Sequence, residues 1–316
     1  MAEKDLVEKK LEDHNDVFAD ILNTLLFQKR VLKESNLWNG PTESVYKSDR
    51  GKLHGQCRDT FKKYGEGLCL IIASFGIENQ SGYERTLPVR IMGYDSASYK
   101  DQIDHEKGKL HPVITVVLNF SDSRWNKVKS LRDLMGTIPE ELEPYFQDYR
   151  IHVFDIAFLE DCVIDSFQSD FRAVARFFRN RRLGQPALAD DTELNYPEEI
   201  TELMAVFTGE KRYMDLLPDV KAAKQKGERM TMCWVAQELI EKGERQGEIR
   251  GEMRGEIRGE ERGERRGEAR GRKQGETLMA TLMQRLFADG RMEDAKRAAD
   301  SERDRKELYQ EYGLMN

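Results

Sequence analysis

Residues 68–77 read LCLIIASFGI, an almost unbroken apolar run. A run of this length without alternation is typical of a strand covered on both faces, as at the centre of an α/β sheet. Three polar residues, Glu78-Asn79-Gln80, follow it directly. The stretch therefore predicts a buried strand with polar side chains at its carboxyl end, a place where functional sites often lie in such sheets.

The segments around this run alternate between strand and helix patterns. Apolar residues at helical spacing predict helices over residues 5–29, 89–105, 164–182 and 197–240, and apolar runs predict strands over 43–47, 56–64, 112–120 and 151–159. Strands that alternate with helices imply a mixed or largely parallel sheet flanked by helices. We therefore expect an α/β fold with an α-helical C-terminal extension.

The composition limits the classes of function. No run of 18 apolar residues occurs and the first residues are charged, so we expect neither a membrane span nor a signal peptide, and a cytoplasmic location. Cysteines and histidines are scattered without the spacing of a zinc site. The net charge of -7 argues against a protein that binds nucleic acid through its overall charge.

Glycine recurs at every fourth residue from Gly243 to Gly275, usually followed by Glu, with Arg closing the unit. In a helix, residues four apart form rows that shift by about 40° around the axis with each repeat. Each glycine also lowers the stability of a helix by roughly 0.8–1 kcal/mol relative to alanine. One interpretation is a solvated tether. Another is a helix supported by a partner chain, with Glu facing Arg between copies, which would make the protein a homo-oligomer. The tract is also weakly basic and could contact DNA.

One basic face is predicted outside this repeat. Arg172, Arg176 and Arg179 are spaced i, i+4, i+7 and therefore share one side of a helix. We expect these three residues to contact DNA.

The polar residues after the central strand suggest a metal site. Glu78 and Gln80 leave the same face of a strand, and Asp59 lies nineteen residues upstream on the preceding strand, a separation that suits a hairpin. Two adjacent carboxylates repel each other unless a cation lies between them, and oxygen ligands suit Mg²⁺. Gln80 would orient the attacking water or hold a phosphate oxygen. The alternative is that all three are solvated residues at strand ends.

Several short motifs, taken together, resemble one family. They are Asn15–Asn23, Arg58-Asp59, Gly76–Gln80, Leu87–Asp95, Pro112–Leu118, Arg124–Lys127 and Ser169–Arg172. Over about residues 5–215 the chain resembles the Rpn family of recombination-promoting nucleases, which are also called transposases and lie within the PD-(D/E)XK superfamily. A repeat rich in Gly and Glu near the C-terminus is also typical of such proteins.

The resemblance implies a PD-(D/E)XK restriction-endonuclease-like core that cleaves DNA with Mg²⁺ or Mn²⁺ and needs no nucleotide cofactor. It implies Asp59 and Glu78 as metal ligands and Asp16 as an accessory acid. Gln80 occupies the place of the superfamily's lysine, which leaves open what stabilises the nucleophile. Arg90 or Lys62 could supply the positive charge.

We expect four segments: a nuclease-like core over residues 1–183, a helical extension over 184–241, the repeat over 242–276 and a helical unit over 277–316. The leading hypothesis is a metal-dependent DNA endonuclease that promotes recombination or mobile-element activity. The second is a catalytically weak protein with a nuclease fold that assembles through its repeat. A DNA-strand transferase ranks last, because nothing resembles the separated acidic triad of such enzymes.

Overall fold

A computed structural model describes residues 9–47, 53–66, 70–106, 108–185 and 190–315, with side chains for all of these except 43–47, 53–57 and 70. Parts of three predicted segments lie outside the described residues, namely 5–8 of the first helix, 68–69 of the central strand and 186–189 of the segment predicted over 184–241. The chain divides into two compact units, Met1–Glu241 and Lys242–Asn316.

The described strands are β1 (Leu37–Asn39), β2 (Glu43–Lys47), β3 (Leu53–Cys57), β4 (Thr60–Glu66), β5 (Leu70–Gln80), β6 (Val113–Asn119) and β7 (His152–Asp155). The helices up to the repeat are α1 (Asn15–Ile21), α2 (Leu87–His105), α3 (Asp161–Ser166), α4 (Phe171–Leu183), α5 (Pro197–Thr208) and α6 (Lys211–Gln225). Helix α7 (Met232–Ala288) includes the repeat, and α8 (Met292–Asp300) and α9 (Glu302–Glu311) follow it. Within the described residues, no helix is long and apolar enough to span a membrane.

Five strands form one mixed sheet in the order β1-β4-β5-β6-β7. The pairs β1–β4 and β4–β5 are antiparallel, whereas β5–β6 and β6–β7 are parallel. The crossover from β5 to β6 runs through α2, as parallel strands require a long connection. The predicted α/β class, with a mixed sheet between helices and a helical C-terminal part, is confirmed.

The two faces of β5 meet different helices. Ala73, Phe75 and Ile77 belong to the large core that also contains residues of α1 and α4, such as Phe18 and Phe178. On the other face, Leu87, Ile91 and Tyr94 of α2 pack against Val117 of β6, together with Trp125 and Ile151. Because side chains alternate along a strand, Glu78 lies on the α2 face.

The predicted strand over residues 56–64 is wrong as a single element. β3 pairs with β2 in a separate two-stranded sheet, and β4 pairs with β5 in the main sheet. The chain leaves one sheet for the other at Arg58-Asp59, so the strand must bend there. The bend brings Asp59 to the start of β4.

Two predicted helices are shorter than expected. The first helix has a break before Asn15 and ends in a π-helical turn at Phe27. The helix predicted over residues 164–182 is split into α3 and α4, because the carboxylate of Asp20 accepts hydrogen bonds from the backbone N–H groups of Gln168 and Ser169, at 2.8 and 2.7 Å. The strand predicted over 151–159 likewise ends at Asp155, and a 3₁₀ turn follows.

Lys62 is fully buried on the α1 face of the sheet. It pairs with Phe75 across β4 and β5, so its side chain points away from Glu78. Its Nζ donates to the carbonyl of Asp13 at 2.6 Å and to the side-chain oxygens of Asn15 and Asn39 at 2.8 and 2.9 Å. The interpretation of Lys62 as a source of positive charge beside Asp59 and Glu78 is therefore wrong. Its ammonium group instead binds residues at α1 and β1 and so stabilises their packing against β4.

The repeat is helical, since α7 continues without interruption through Gly275. Apart from the adjacent residues and the helix's own backbone, a Cβ atom added at any glycine from Gly243 to Gly275 would meet no described atom within 4 Å. Beyond the repeat, Leu282 and Leu286 pack against Ala298 of α8 and Leu308 of α9. The C-terminal part therefore has a small core of its own.

Replacing Lys62 by Met should lower the free energy of unfolding by about 1–3 kcal/mol, because three partly buried hydrogen bonds of the ammonium group are lost. Urea unfolding measures this change. Lys100→Met, at an exposed position on α2, is the matched control and should change stability little. Equal unfolding midpoints for the two variants would contradict the role given to Lys62.

Candidate active site

Asp59 and Glu78 lie side by side at the end of the β4–β5 pair. The register joins Thr60 to Ile77, so Asp59, one residue earlier, lies across from Glu78. Oδ2 of Asp59 accepts a hydrogen bond from the backbone N–H of Asn79 at 2.8 Å, which fixes the bend against β5. Oδ1 lies 3.6 Å from the ammonium group of Lys9.

The carboxyl group of Glu78 is buried, and its side-chain environment disfavours the charged form. Burial, followed by the negative charge of Asp59, raises the pKa of Glu78 from 4.5 to about 8, and the positive charges of Arg90 and Arg58 only partly oppose this. One of its oxygens, Oε2, is buried without a hydrogen-bond partner among the described residues. A buried oxygen of this kind is rare in proteins and indicates a missing ligand or a functional role.

Arg90 on α2 is the cation that contacts Glu78. Its Nη2 lies 2.5 Å from Oε1 of Glu78, and its Nη1 lies 2.8 Å from Oε2 of Glu84. Of the two residues considered for the positive charge, the structure thus brings Arg90 to the carboxylate pair and places Lys62 on the other face of the sheet.

Gln80 shares the face of Glu78, as the strand pattern predicts, and its Nε2 lies 3.4 Å from Oε1 of Glu78. Asn79 contributes its backbone to the site, through the N–H group that binds Asp59. Its side chain points to the opposite face, because neighbouring residues of a strand alternate. Among the residues after the apolar run, Glu78 and Gln80 are therefore the ones that reach the site.

Arg58, the residue before Asp59, forms a buried ion pair with Asp95 that the sequence patterns do not predict. The guanidinium of Arg58 donates to Asp95 of α2 at 2.7 Å, and Asp95 also accepts from Thr115 at 2.7 Å and from the hydroxyl of Tyr149 at 2.5 Å. A Cβ atom at Gly76 would lie 3.5 Å from Cδ of Arg58 and 3.1 Å from Thr115, so this glycine makes room for the pair. Both residues of the ion pair belong to motifs that carry the family resemblance: Arg58 is part of Arg58-Asp59, and Asp95 is the last residue of Leu87–Asp95.

The donor set fits a divalent cation. Two adjacent carboxylates, one with an unused buried oxygen, are the ligands that Mg²⁺ and Mn²⁺ prefer. In the described part of the chain, no group of three His, Cys, Asp or Glu side chains could hold a metal by itself. Mg²⁺ commonly retains several waters and takes one or two carboxylates from the protein, so a pair is sufficient.

Asp16 does not join this cluster. Its carboxylate accepts a hydrogen bond from Tyr196 at 2.9 Å, and α1 packs on the face of the sheet opposite to Glu78. The structure instead places Lys9 next to Asp59, and buries Glu12, which accepts from the hydroxyl of Thr60 at 3.1 Å. Asp16 is a structural contact between α1 and the start of α5.

Arg172, Arg176 and Arg179 share one face of α4 and line an open pocket of about 660 Å³. Aspartates balance their charge. Arg176 and Arg179 lie 2.8 and 2.7 Å from Asp161, and Arg172 lies 3.3 Å from Asp165. The break between α3 and α4 brings these aspartates to the arginines, and the face carries little net positive charge.

Glu78→Gln should become more stable than the wild type as the pH rises from about 5 to 8. Below pH 4.5 the carboxyl is protonated in both states. Between 4.5 and about 8 the unfolded chain loses the proton that the folded chain keeps, so wild-type stability falls. The slope is at most about 1.4 kcal/mol per pH unit.

Thermal or urea unfolding at several pH values, without divalent metal, measures this difference. Glu140→Gln, on an exposed loop, is the control and should follow the wild type at every pH. A constant difference between Glu78→Gln and the wild type across this range would contradict the buried, proton-binding carboxyl.

Residues 74–184 match the sequence model of a family described as "Putative transposase, YhgA-like". No curated protein and no solved structure matches the chain. The matched segment contains Glu78, Gln80 and Arg90 and extends through α4, whereas Asp59 and the repeat lie outside it. Over residues 74–184 the chain is thus similar to this transposase family, in agreement with the resemblance of its motifs.

Proposed function

We propose that this protein is a divalent-metal-dependent nuclease that hydrolyses phosphodiester bonds of DNA. The observation that carries the proposal is the buried, unused oxygen of Glu78 next to the carboxylate of Asp59. Ionisation of Glu78 beside Asp59 is unfavourable in the metal-free protein. A divalent cation between the two carboxylates would make this ionisation favourable. The match to a transposase family is consistent with DNA as the substrate and with a role in mobile elements or recombination.

Asp59 and Glu78 would hold Mg²⁺ or Mn²⁺. A divalent cation there supplies positive charge beside the phosphodiester and makes a bound water more acidic. Arg90 stands where its positive charge can offset the developing negative charge on the phosphate. Gln80, on the same face, can orient a water or donate to a phosphate oxygen. In this proposal, Arg90 supplies the charge that lysine provides in the PD-(D/E)XK superfamily.

Cleavage of supercoiled plasmid with Mg²⁺ tests the proposal. Asp59→Asn and Glu78→Gln should each lower the nicking rate at least about 100-fold, because each removes a ligand of the cation that stabilises the transition state. Asp16→Asn is the matched control, since Asp16 binds Tyr196, and it should nick at the wild-type rate. Nicking that survives both Asp59→Asn and Glu78→Gln would contradict the site.

The second candidate is a protein with a nuclease fold that assembles without efficient catalysis. The ion pair between Arg90 and Glu78 favours it, because Arg90 occupies one oxygen of the proposed metal ligand. A pure wild-type protein that fails to nick plasmid with either Mg²⁺ or Mn²⁺ would support this candidate over the nuclease.

The repeat helix has the surface that pairing with a second copy requires. Ile249, Met253 and Ile257 form a row on α7 and are 60%, 59% and 52% exposed. Residues four apart are offset by about 40°, so the four rows of the repeat lie roughly 90° apart around the helix. The apolar row therefore has the glutamate row on one side, the arginine row on the other and the glycine row opposite.

We propose that two copies meet through these apolar rows in a parallel arrangement. A two-fold axis along the helices then places each glutamate row across from the partner's arginine row. An antiparallel pair would instead bring glutamates next to glutamates. Because rows of residues four apart are inclined to the helix axis, the helices should cross at about 50° and touch over a short length around Met253.

Met253→Glu should convert a dimer to a monomer in light-scattering measurements of mass, because it places charge at the centre of the contact. Glu252→Lys should also weaken a parallel dimer, whereas it would strengthen an antiparallel one. Gly255→Ala, on the opposite row, should leave the mass unchanged. A Met253→Glu variant with the mass of the wild type would exclude pairing through this row.

A further inference from the structure

A cavity of about 630 Å³ opens at the carboxyl ends of β5 and β6, the end of β5 at which Glu78 and Gln80 lie. Its walls include Gly82 and Tyr83, which follow Gln80, and residues of the loop after Asn119. The backbone N–H of Phe120 donates to the carbonyl of Gln80 at 2.8 Å, so the two strand ends are joined here. Three residues of chain span at most about 10 Å, which keeps Tyr83 close to the candidate active site.

Aromatic rings form the sides of this cavity. Tyr83 is 44% exposed, and its ring centre lies 5.2 Å from that of Trp125, which is buried. The indole N–H of Trp125 donates to the carbonyl of Val128 at 2.8 Å, so the tryptophan is a fixed support for the tyrosine. Phe158 lines the other side. An exposed ring on a rigid support is the arrangement on which nucleic-acid bases stack.

Cations without a salt bridge among the described residues lie at this cavity. Lys127 and Arg124 line the cavity: the ammonium group of Lys127 lies 4.8 Å from the ring centre of Tyr83, and the guanidinium of Arg124 lies 4.8 Å from that of Phe158. The guanidinium of Arg182 lies 4.3 Å from the same ring of Phe158. None of these three cations has a salt bridge among the described residues, in contrast to the arginines of α4. The carboxylate of Asp155 accepts hydrogen bonds from Asn119 and Trp125, two residues of the cavity wall, and forms no salt bridge with these cations among the described residues.

We propose that this cavity binds an unpaired nucleotide of a DNA strand, next to the phosphate that is cleaved. The base stacks on Tyr83, and Lys127 and Arg124 contact the flanking phosphates. The inference rests on the proposed function, because it takes DNA as the substrate. We expect the cavity, and not the arginine face of α4, to be the principal DNA contact. The cavity combines an exposed aromatic ring with cations that form no salt bridge among the described residues, whereas aspartates pair with the arginines of α4.

Fluorescence anisotropy of a labelled oligo(dT) strand in EDTA tests the proposal without metal or cleavage. Tyr83→Ala should bind the strand roughly 5- to 150-fold more weakly, the effect of losing one stacked base, whereas Tyr83→Phe should keep the affinity of the wild type. Lys127→Ala should reduce the salt dependence of binding by about 0.7 in log–log slope. Tyr145→Ala removes an exposed tyrosine elsewhere and should change nothing.

Two results would overturn the proposal. One is a Tyr83→Ala variant that binds the strand as tightly as the wild type, and the other is competition by free dTMP as strong as that by the oligonucleotide, which would identify a mononucleotide site. A wild-type protein that does not nick plasmid would contradict only the proposed nuclease activity, because strand binding is measured without metal. A folded Tyr83→Ala protein is verified by its circular dichroism spectrum.

Discussion

The carboxyl group of Glu78 is buried at the end of a core strand, against a second carboxylate, and the rest of the site follows from that constraint. The burial and the neighbouring charge of Asp59 both oppose its ionisation. Arg90 contacts it from α2, and the positive charge of Arg58, which is held by Asp95, also acts on it. An arrangement that destabilises an anion in the resting protein is suited to bind a divalent cation, which stabilises the same anion.

The fold provides this geometry by changing sheets at one point. β3 belongs to the small sheet and β4 to the main one, so the chain bends at Arg58-Asp59. The bend turns Arg58 inward, into the space left by Gly76, and aligns Asp59 with Glu78. Replacing the bend by one continuous strand would send Arg58 and Asp59 to opposite faces of a single sheet.

Local sequence patterns were sufficient for part of this account. The apolar run and the period of two placed Glu78 and Gln80 on one face, and the distance along the chain suggested the hairpin with Asp59. The choice between Arg90 and Lys62 required the register of β4 against β5, which pairs Lys62 with Phe75 and turns it away. The arginines of α4 share a face as predicted, but their aspartate partners come from α3. The two helices meet because hydrogen bonds to Asp20, a residue distant in sequence, interrupt the helix between them.

Binding of one divalent cation by Asp59 and Glu78 together can be measured by titration of Mn²⁺ near pH 7, followed by electron paramagnetic resonance and by proton release into weakly buffered solution. We expect one Mn²⁺ bound at the pair in the wild type, with release of a proton because Glu78 binds one at this pH, and loss of both signals in Glu78→Gln. Mn²⁺ binding that is unchanged in Glu78→Gln, or that releases no proton, would contradict this expectation.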